Sequence, residues 1–254
     1  REPPPREPLF ITLYIDNENL DPLNRNRVLR RLREFVTANL KPPIQMMVLS
    51  HGKSLEVEQP FTDDPSAVTA AVRRQETRSG GWVERESSRR DILEEMTEDA
   101  DRRKEQGQRG QAGIGQRTLY ASVIQYAEEE SNNLAFSLGA LREAVTLMSG
   151  VTGRKSIIYV ANGLPMTPGL DLLHEYAMQY RDNSILSQRG RFERTRDFVS
   201  LAAAANAQEV SIYTIDAQGL EVTVGGSAED RYVSDPMTQS LGRSNYQDSL
   251  RFLA

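Results

Sequence analysis

Cysteine is absent from the 254 residues, and histidine occurs only twice, as His51 and His174. The first absence excludes disulfides, thiolate metal sites and a cysteine nucleophile. The second leaves no material for a multi-histidine zinc centre. No apolar run approaches the roughly 18 residues that cross a bilayer as a helix, so the chain carries no transmembrane segment. Basic charge is not in excess either: 31 Lys+Arg stand against 36 Asp+Glu, a net charge of −5. A nucleic-acid partner calls for a basic face and is not expected. The sequence holds no G-x-G-x-x-G, no G-x-x-x-x-G-K-[ST] and no G-x-S-x-G. Dinucleotide binding, P-loop chemistry and the usual serine hydrolase of an open sheet are therefore disfavoured, and no enzyme activity is expected.

What is present is an alternation of strands and helices. Residues 9–15 form a nearly continuous β-prone run, as in a strand buried on both faces, and the run ends at Asp16. Asp21-Pro22 and Asp64-Pro65 each put a capping side chain before a proline at the first helical position. The first opens a helix to about residue 39, with Leu23, Val28, Leu29, Leu32, Phe35 and Val36 on its apolar side. Its arginines, Arg25, Arg27, Arg30, Arg31 and Arg33, fall largely on the other side, as a solvated face or a surface for acidic groups. Strands are expected at 44–50, 54–60, 156–161 and 210–215, the second of them a hairpin-like edge. Further helices are expected from Asp64-Pro65 through Val72, at 170–180 and at 198–207, and the polar stretch 221–243 is expected to be a loop.

Residues 78–116 differ from the rest. They are rich in both acidic and basic side chains, carry a thin apolar stripe (Trp82, Ile92, Leu93, Met96) and end in a Gly/Gln-rich turn at 106–113. A second helical pattern runs from 119 to 148, so 78–149 is expected to contain an antiparallel helical hairpin, either a solvated insertion or a partner-binding arm. The organisation is a proline-rich lead-in (1–8) followed by one domain (9–254) whose C-terminus is expected to be incomplete. The fold class is α/β: a Rossmann-like, open, mostly parallel central sheet with helices on both faces.

In such sheets ligands gather at the carboxyl ends of the strands. Here those ends offer Asp16-Asn17-Glu18-Asn19, Ser50-His51-Gly52, Asn162-Gly163 and Asp216, a set of oxygen-bearing groups suited to a hard cation. His51 and His174 have no acidic partner visible in the sequence and are expected to be ordinary surface residues.

Four segments carry a resemblance: Tyr14-Ile15-Asp16-Asn17-Glu18-Asn19-Leu20, the helix Asn24-Arg25-Asn26-Arg27-Val28-Leu29-Arg30-Arg31-Leu32, Gly153-Arg154-Lys155-Ser156-Ile157-Ile158-Tyr159-Val160 with Asn162-Gly163, and Ala202–Ala207 leading to Ile212-Tyr213-Thr214-Ile215-Asp216. Together they resemble a von Willebrand factor A-type (VWFA) domain, of the bacterial VWFA-related branch of the acidobacterial type. The resemblance implies a mainly parallel sheet wrapped by helices and a binding role in protein interaction or adhesion. It also implies a secreted, periplasmic or envelope-associated location.

The family's metal site, D-x-S-x-S with a threonine and the aspartate of a D-G pair, maps onto Asp16, Glu18, Leu20, Thr118 and Asn162. A carboxylate and an apolar side chain replace its two serines, and an asparagine replaces its second aspartate. The resemblance thus offers Asp16, Glu18, Thr118 and Asn162 as ligands of Mg2+ or Ca2+ at a degenerate site, with Asn17, Asn19, Gly163 and Trp82 as partner contacts. The alternative is that Asp16 and Asn162 satisfy only turns and backbone amides. The chain would then be a metal-independent structural or accessory subunit of a larger assembly, docked through the helical arm.

Overall fold

The computed structural model describes residues 7–78, 80–105, 113–217 and 236–254. Most of the proline-rich lead-in, nearly all of the glycine-rich turn and residues 221–235 of the expected loop lie outside these.

The β-prone runs become β1 (Leu9–Asp16), β2 (Ile44–His51), β3 (Leu55–Thr62), β4 (Arg154–Ala161) and β5 (Val210–Asp216). They form one sheet in the order β3-β2-β1-β4-β5. Pairing is parallel throughout except at β3, which returns antiparallel along β2 as an edge hairpin. The parallel strands are joined by helices: α1 (Pro22–Asn39), α2 (Pro65–Arg74), α3 (Trp82–Glu105), α4 (Ile114–Leu147), α5 (Leu170–Tyr180), the short α6 (Arg189–Phe192) and α7 (Thr195–Ala207). Helix α8 (Pro236–Leu253) follows β5, so 236–243, expected as loop, is helical.

Alternation along the strands sends side chains to two separate cores. Ile11, Leu13, Ile15, Met46 and Val48 meet α1 (Leu29, Leu32, Val36) and α2 (Val68, Val72) on one face. Tyr14, Met47, Leu49, Ile157 and Tyr159 meet α4 (Leu138, Leu141), α7 (Phe198, Leu201) and α8 (Leu250, Leu253) on the other. Both cap-plus-proline signals act as read. Asp21 accepts from the Leu23 amide at 2.8 Å and Asp64 from the Ser66 amide at 2.8 Å.

The apolar stripe of α1 is narrower than expected. Leu23 is 89% exposed and Phe35 lies at its margin, whereas Arg25, assigned to the solvent side, is buried. Leu23 is in the first turn, ahead of the residues that reach the sheet.

The helical hairpin is a second, smaller body. Ser137 of α4 touches the strand tips through Asn19, and Leu138 and Leu141 beyond it pack on the sheet. With Leu134 also in that core, residues 114–133 extend about 30 Å past the tips at 1.5 Å per residue. Helix α3 runs back along them. A third apolar cluster joins Leu93 and Met96 of α3 and Leu119, Val123 and Tyr126 of α4 to Leu172, Leu173 and Tyr176 of α5, with Phe192 closing it. The hairpin is thus backed by α5 and α6 to form a helical lobe.

Candidate functional site

Parallel register sets the site. Asp16 pairs with His51 across β1 and β2, and Tyr14 with Tyr159 across β1 and β4. Residues two apart on a strand share a face, so Asp16, His51 and Tyr159 all emerge on the α4 side at the carboxyl end of the sheet. Both Asp16 oxygens are engaged there. Oδ1 lies 3.1 Å from His51 Nδ1 and accepts from the Asn19 amide at 3.2 Å. Oδ2 accepts from the Tyr159 hydroxyl at 2.6 Å and from Asn19 Nδ2 at 2.9 Å.

Asp16 is fully buried and His51 is 3% exposed. Burial pushes the Asp16 carboxyl up, but the His51 hydrogen bond and charge, with the Tyr159 and Asn19 donors, outweigh it and hold the group below its usual range. For His51, burial works against the charge, and the hydrogen bond and charge of Asp16 outweigh it and raise the imidazole. The result is a buried His51–Asp16 pair in which each group favours the charged form of the other. The expectation that His51 lacks an acidic partner is corrected: the partner sits 35 residues earlier in the chain, brought beside it by strand pairing.

Glu18 is turned toward the lobe. Its Oε2 accepts from the Gly81 amide at 3.0 Å, and its Oε1 from Arg85 Nη1 at 2.5 Å. Arg85 of α3 also donates through Nη2 to the Glu18 carbonyl (2.6 Å) and to Asn19 Oδ1 (3.2 Å). Its Nε lies 3.0 Å from Glu130 Oε1 of α4, a charge contact without an aligned hydrogen bond. Burial acts against the Arg85 charge, and Glu130 first, then Tyr246, Glu18 and Asp16, outweigh it and raise the group above its ordinary value.

Asn162 accepts from the Asp21 amide at 3.2 Å, and its own amide N–H donates to the Asn19 carbonyl at 2.9 Å. Asn17 Nδ2 donates to Gln75 Oε1 at 3.0 Å. The structure thus gathers Asp16, Glu18, Asn19 and Asn162 at one place. Thr118 is not among them. It is exposed on α4, bonded to the Ile114 carbonyl, and stands about 28 Å from Ser137 along the helix. The long helix carries it into the lobe, away from the sheet.

The residues proposed for partner contact are also placed differently from the expectation. Asn17 and Asn19 are buried, as is Gly163, which has φ of +109°. A Cβ at Gly163 would come within 2.4 Å of the Tyr246 carbonyl, so the close approach of α8 requires glycine. Trp82 is half-buried, its ring edge-on to Tyr246 at 6.2 Å.

The donor set does not fit a divalent ion. Both Asp16 oxygens and both Glu18 oxygens already accept from protein donors, and Asn162 Oδ1 accepts from a backbone amide. Leu20, at a serine position of the family pattern, is buried hydrocarbon. Of the buried polar atoms here with no hydrogen-bond partner, Asn162 Nδ2 is a donor and Glu130 Oε1 faces the Arg85 charge, which leaves Asn17 Oδ1 and the Tyr14 hydroxyl where an ion wants about six oxygens. Among the described residues no group of three or more His, Asp or Glu is arranged to hold a metal.

The sequence reading missed His51, Tyr159, Arg85, Glu130 and Ser137. The one local signal for Arg85 was its place one turn after Trp82, at the base of the charged segment.

A mainly parallel sheet wrapped by helices on both faces, as the resemblance implied, now stands with its tips beneath a helical insertion. The fold is VWFA-like. No family model matches the sequence, and no curated protein matches it. Solved structures do. Three N-terminal domains of the type V pili tip protein Mfa5 from Porphyromonas gingivalis match at 11% identity and a TM-score of 0.47, over 84% of this chain and 43% of that one. An aerotolerance-related membrane protein from Bacteroides fragilis matches at 9% identity and 0.41, over 96% and 87%. The SpRpn10 VWA domain matches at 12% and 0.34, over 89% and 85%. The VWFA-like chain therefore spans less than half the length of the Mfa5 structure. No helix among the described residues is long and apolar enough to cross a membrane.

Proposed function

We propose that this chain is a non-enzymatic protein-interaction module that works without a divalent ion, as a structural or accessory subunit of a larger assembly docked through its helical lobe. The carrying observation is the internal use of the strand-tip groups. Asp16, Asn17, Asn19 and Asn162 are all buried, and the oxygens of Asp16 and Glu18 are spoken for by protein donors. A partner's carboxylate would find no ion there, and the one unpartnered donor of Asn162, its Nδ2, is buried.

The same burial speaks against catalysis at Asp16–His51, since a substrate could not reach a pair sealed beneath α4. The lobe, by contrast, leaves Ile114 88% exposed and Val83 57% exposed beside charged helix faces. A secreted, periplasmic or envelope-associated location belongs to the same reading and rests on the family resemblance.

The test uses the full chain as bait against an envelope extract of its source, once in EDTA and once in millimolar Mg2+. Equal capture in both, lost on Ile114→Asp or Val83→Asp, is the expected result. Capture that needs the ion, or that ignores both lobe substitutions, overturns the reading.

A further inference from the structure

The entry of α3 onto the sheet is built for close approach. A Cβ at Gly80 would lie 1.9 Å from the Asn17 carbonyl oxygen, and one at Gly81 would lie 2.0 Å from Glu18 Oε1. Only glycines let this segment press against the strand tips. One turn later Arg85 enters a cradle of four oxygens: Glu18 Oε1, the Glu18 carbonyl, Asn19 Oδ1 and Glu130 Oε1, all within 3.2 Å of its guanidinium nitrogens. The side chain is 13% exposed, and those of Glu18 and Glu130 are 21% and 5% exposed. Four converging oxygens, two of them from carboxylates, repel one another unless a cation lies between them. A planar fork with several N–H donors can span such a set, which a single ammonium cannot.

We propose that the Arg85 guanidinium is the resident cation of this strand-tip site, carried on the insertion in place of a metal ion, and that it locks the helical lobe to the sheet. The proposal rests on the metal-independent reading above and deepens it. The lobe brings its own counter-charge to the tips, so the surface has one fixed state rather than an ion-loaded and an ion-free one. Arg89, one turn further along α3, pairs with Asp171 of α5 at 2.5 Å and ties the lobe's own helices together.

The experiment is a thermal-unfolding cycle on the full chain. Wild type, Arg85→Lys and Arg85→Met are each measured in EDTA and in millimolar Mg2+, Mn2+ and Ca2+. The expected order of melting temperature is wild type above Arg85→Lys above Arg85→Met, with the wild-type value unmoved by any ion. Because Arg85→Met alone can prevent folding, the same substitution is also made in a Glu18→Gln/Glu130→Gln background, where the cradle no longer needs a counter-charge. There Arg85→Met is expected to cost only a small part of its effect in the native background.

Three results overturn the proposal. One is a wild-type melting temperature raised by an ion and insensitive again in Asp16→Asn. The second is Arg85→Met melting as high as Arg85→Lys, which would make the residue a packing element. The third is an equal cost of Arg85→Met in both backgrounds. None of these depends on partner capture, so the proposal and the interaction reading can fail separately.

Discussion

The sheet and the helical lobe are held by different physics, although α4 runs through both. The sheet is closed on each face by apolar side chains from α1 and α2 or from α4, α7 and α8, and its strands show the buried runs of a parallel sheet. The lobe has its own apolar cluster and is tied internally by the charges of Arg89 and Asp171, while Arg85 reaches from it to Glu18 and Asn19 at the strand tips. Apolar burial is nearly indifferent to pH and salt, whereas a half-buried ion pair fails sharply when one member is removed. The domain thus combines a body that tolerates change in its medium with an attachment that depends on a few named side chains.

Breaking the body should have the largest effect. Leu29→Ala, at a fully buried position between α1 and the sheet, is expected to cost about 2–5 kcal/mol through lost transfer energy and a residual cavity. Denaturant unfolding followed by far-UV circular dichroism checks this, and the loss should appear as a shifted midpoint of the whole transition. The lobe should break more locally. Arg89→Met leaves Asp171 without its partner and is expected to cost roughly 1–3 kcal/mol, since both side chains are less than a quarter exposed. Hydrogen exchange should then quicken in α3 and α5 while β1 and β4 keep their protection. Uniform loss of protection would mean that lobe and sheet are one cooperative unit.

The pair beneath the attachment sharpens the contrast through pH. His51 is raised in the folded state, so its contribution is complete below the ordinary value of 6.5 and fades as pH rises through the higher folded value. Asp16 is lowered, so its contribution is present above 3.8 and fades as pH falls through the lower folded value. The melting-temperature gap between wild type and His51→Gln should therefore be widest in mildly acidic buffer and narrow toward alkaline pH. A gap that grows with pH would contradict the charged pair. The smallest effect belongs to the surface. Arg31 and Glu34 are paired at 3.2 Å but 80% and 57% exposed, and Arg31→Ala should change stability by no more than about 0.5 kcal/mol in a denaturant titration.

Much of the body was legible because its signals are local. Asp21-Pro22 and Asp64-Pro65 cap their helices as any such pair would, and the strands at 9–15 and 156–161 needed only a nearly continuous β-prone run. The site was legible in part. Asp16, Glu18 and Asn162 follow from the rule that chemistry sits at strand ends, but their partners do not. His51 reaches Asp16 only once β1 and β2 are in register, and Arg85 reaches Glu18 only once a charged insertion folds back over the tips. A threonine chosen by motif order, Thr118, landed far away because nothing in the local pattern shows how much of a long helix lies on the sheet. Leu23 misled for the opposite reason. Its hydrophobicity fits the helical period, but in the first turn of α1 it lies ahead of the residues that reach the sheet and stays in solvent.

Helix α4 is an unbroken rod of 34 residues, anchored along the sheet at one end and standing clear of it at the other. Its part beyond the tips, about 30 Å long and braced by α3 and α5, acts as a lever. A tilt of about 5° at the strand tips moves the far end by about 3 Å over that length, and a tug at the far end returns to the sheet as torque on the few charged contacts at the pivot. Any load borne by the lobe is thus shared between Arg85 and the Ser137–Asn19 and Ser131–Arg194 contacts of α4.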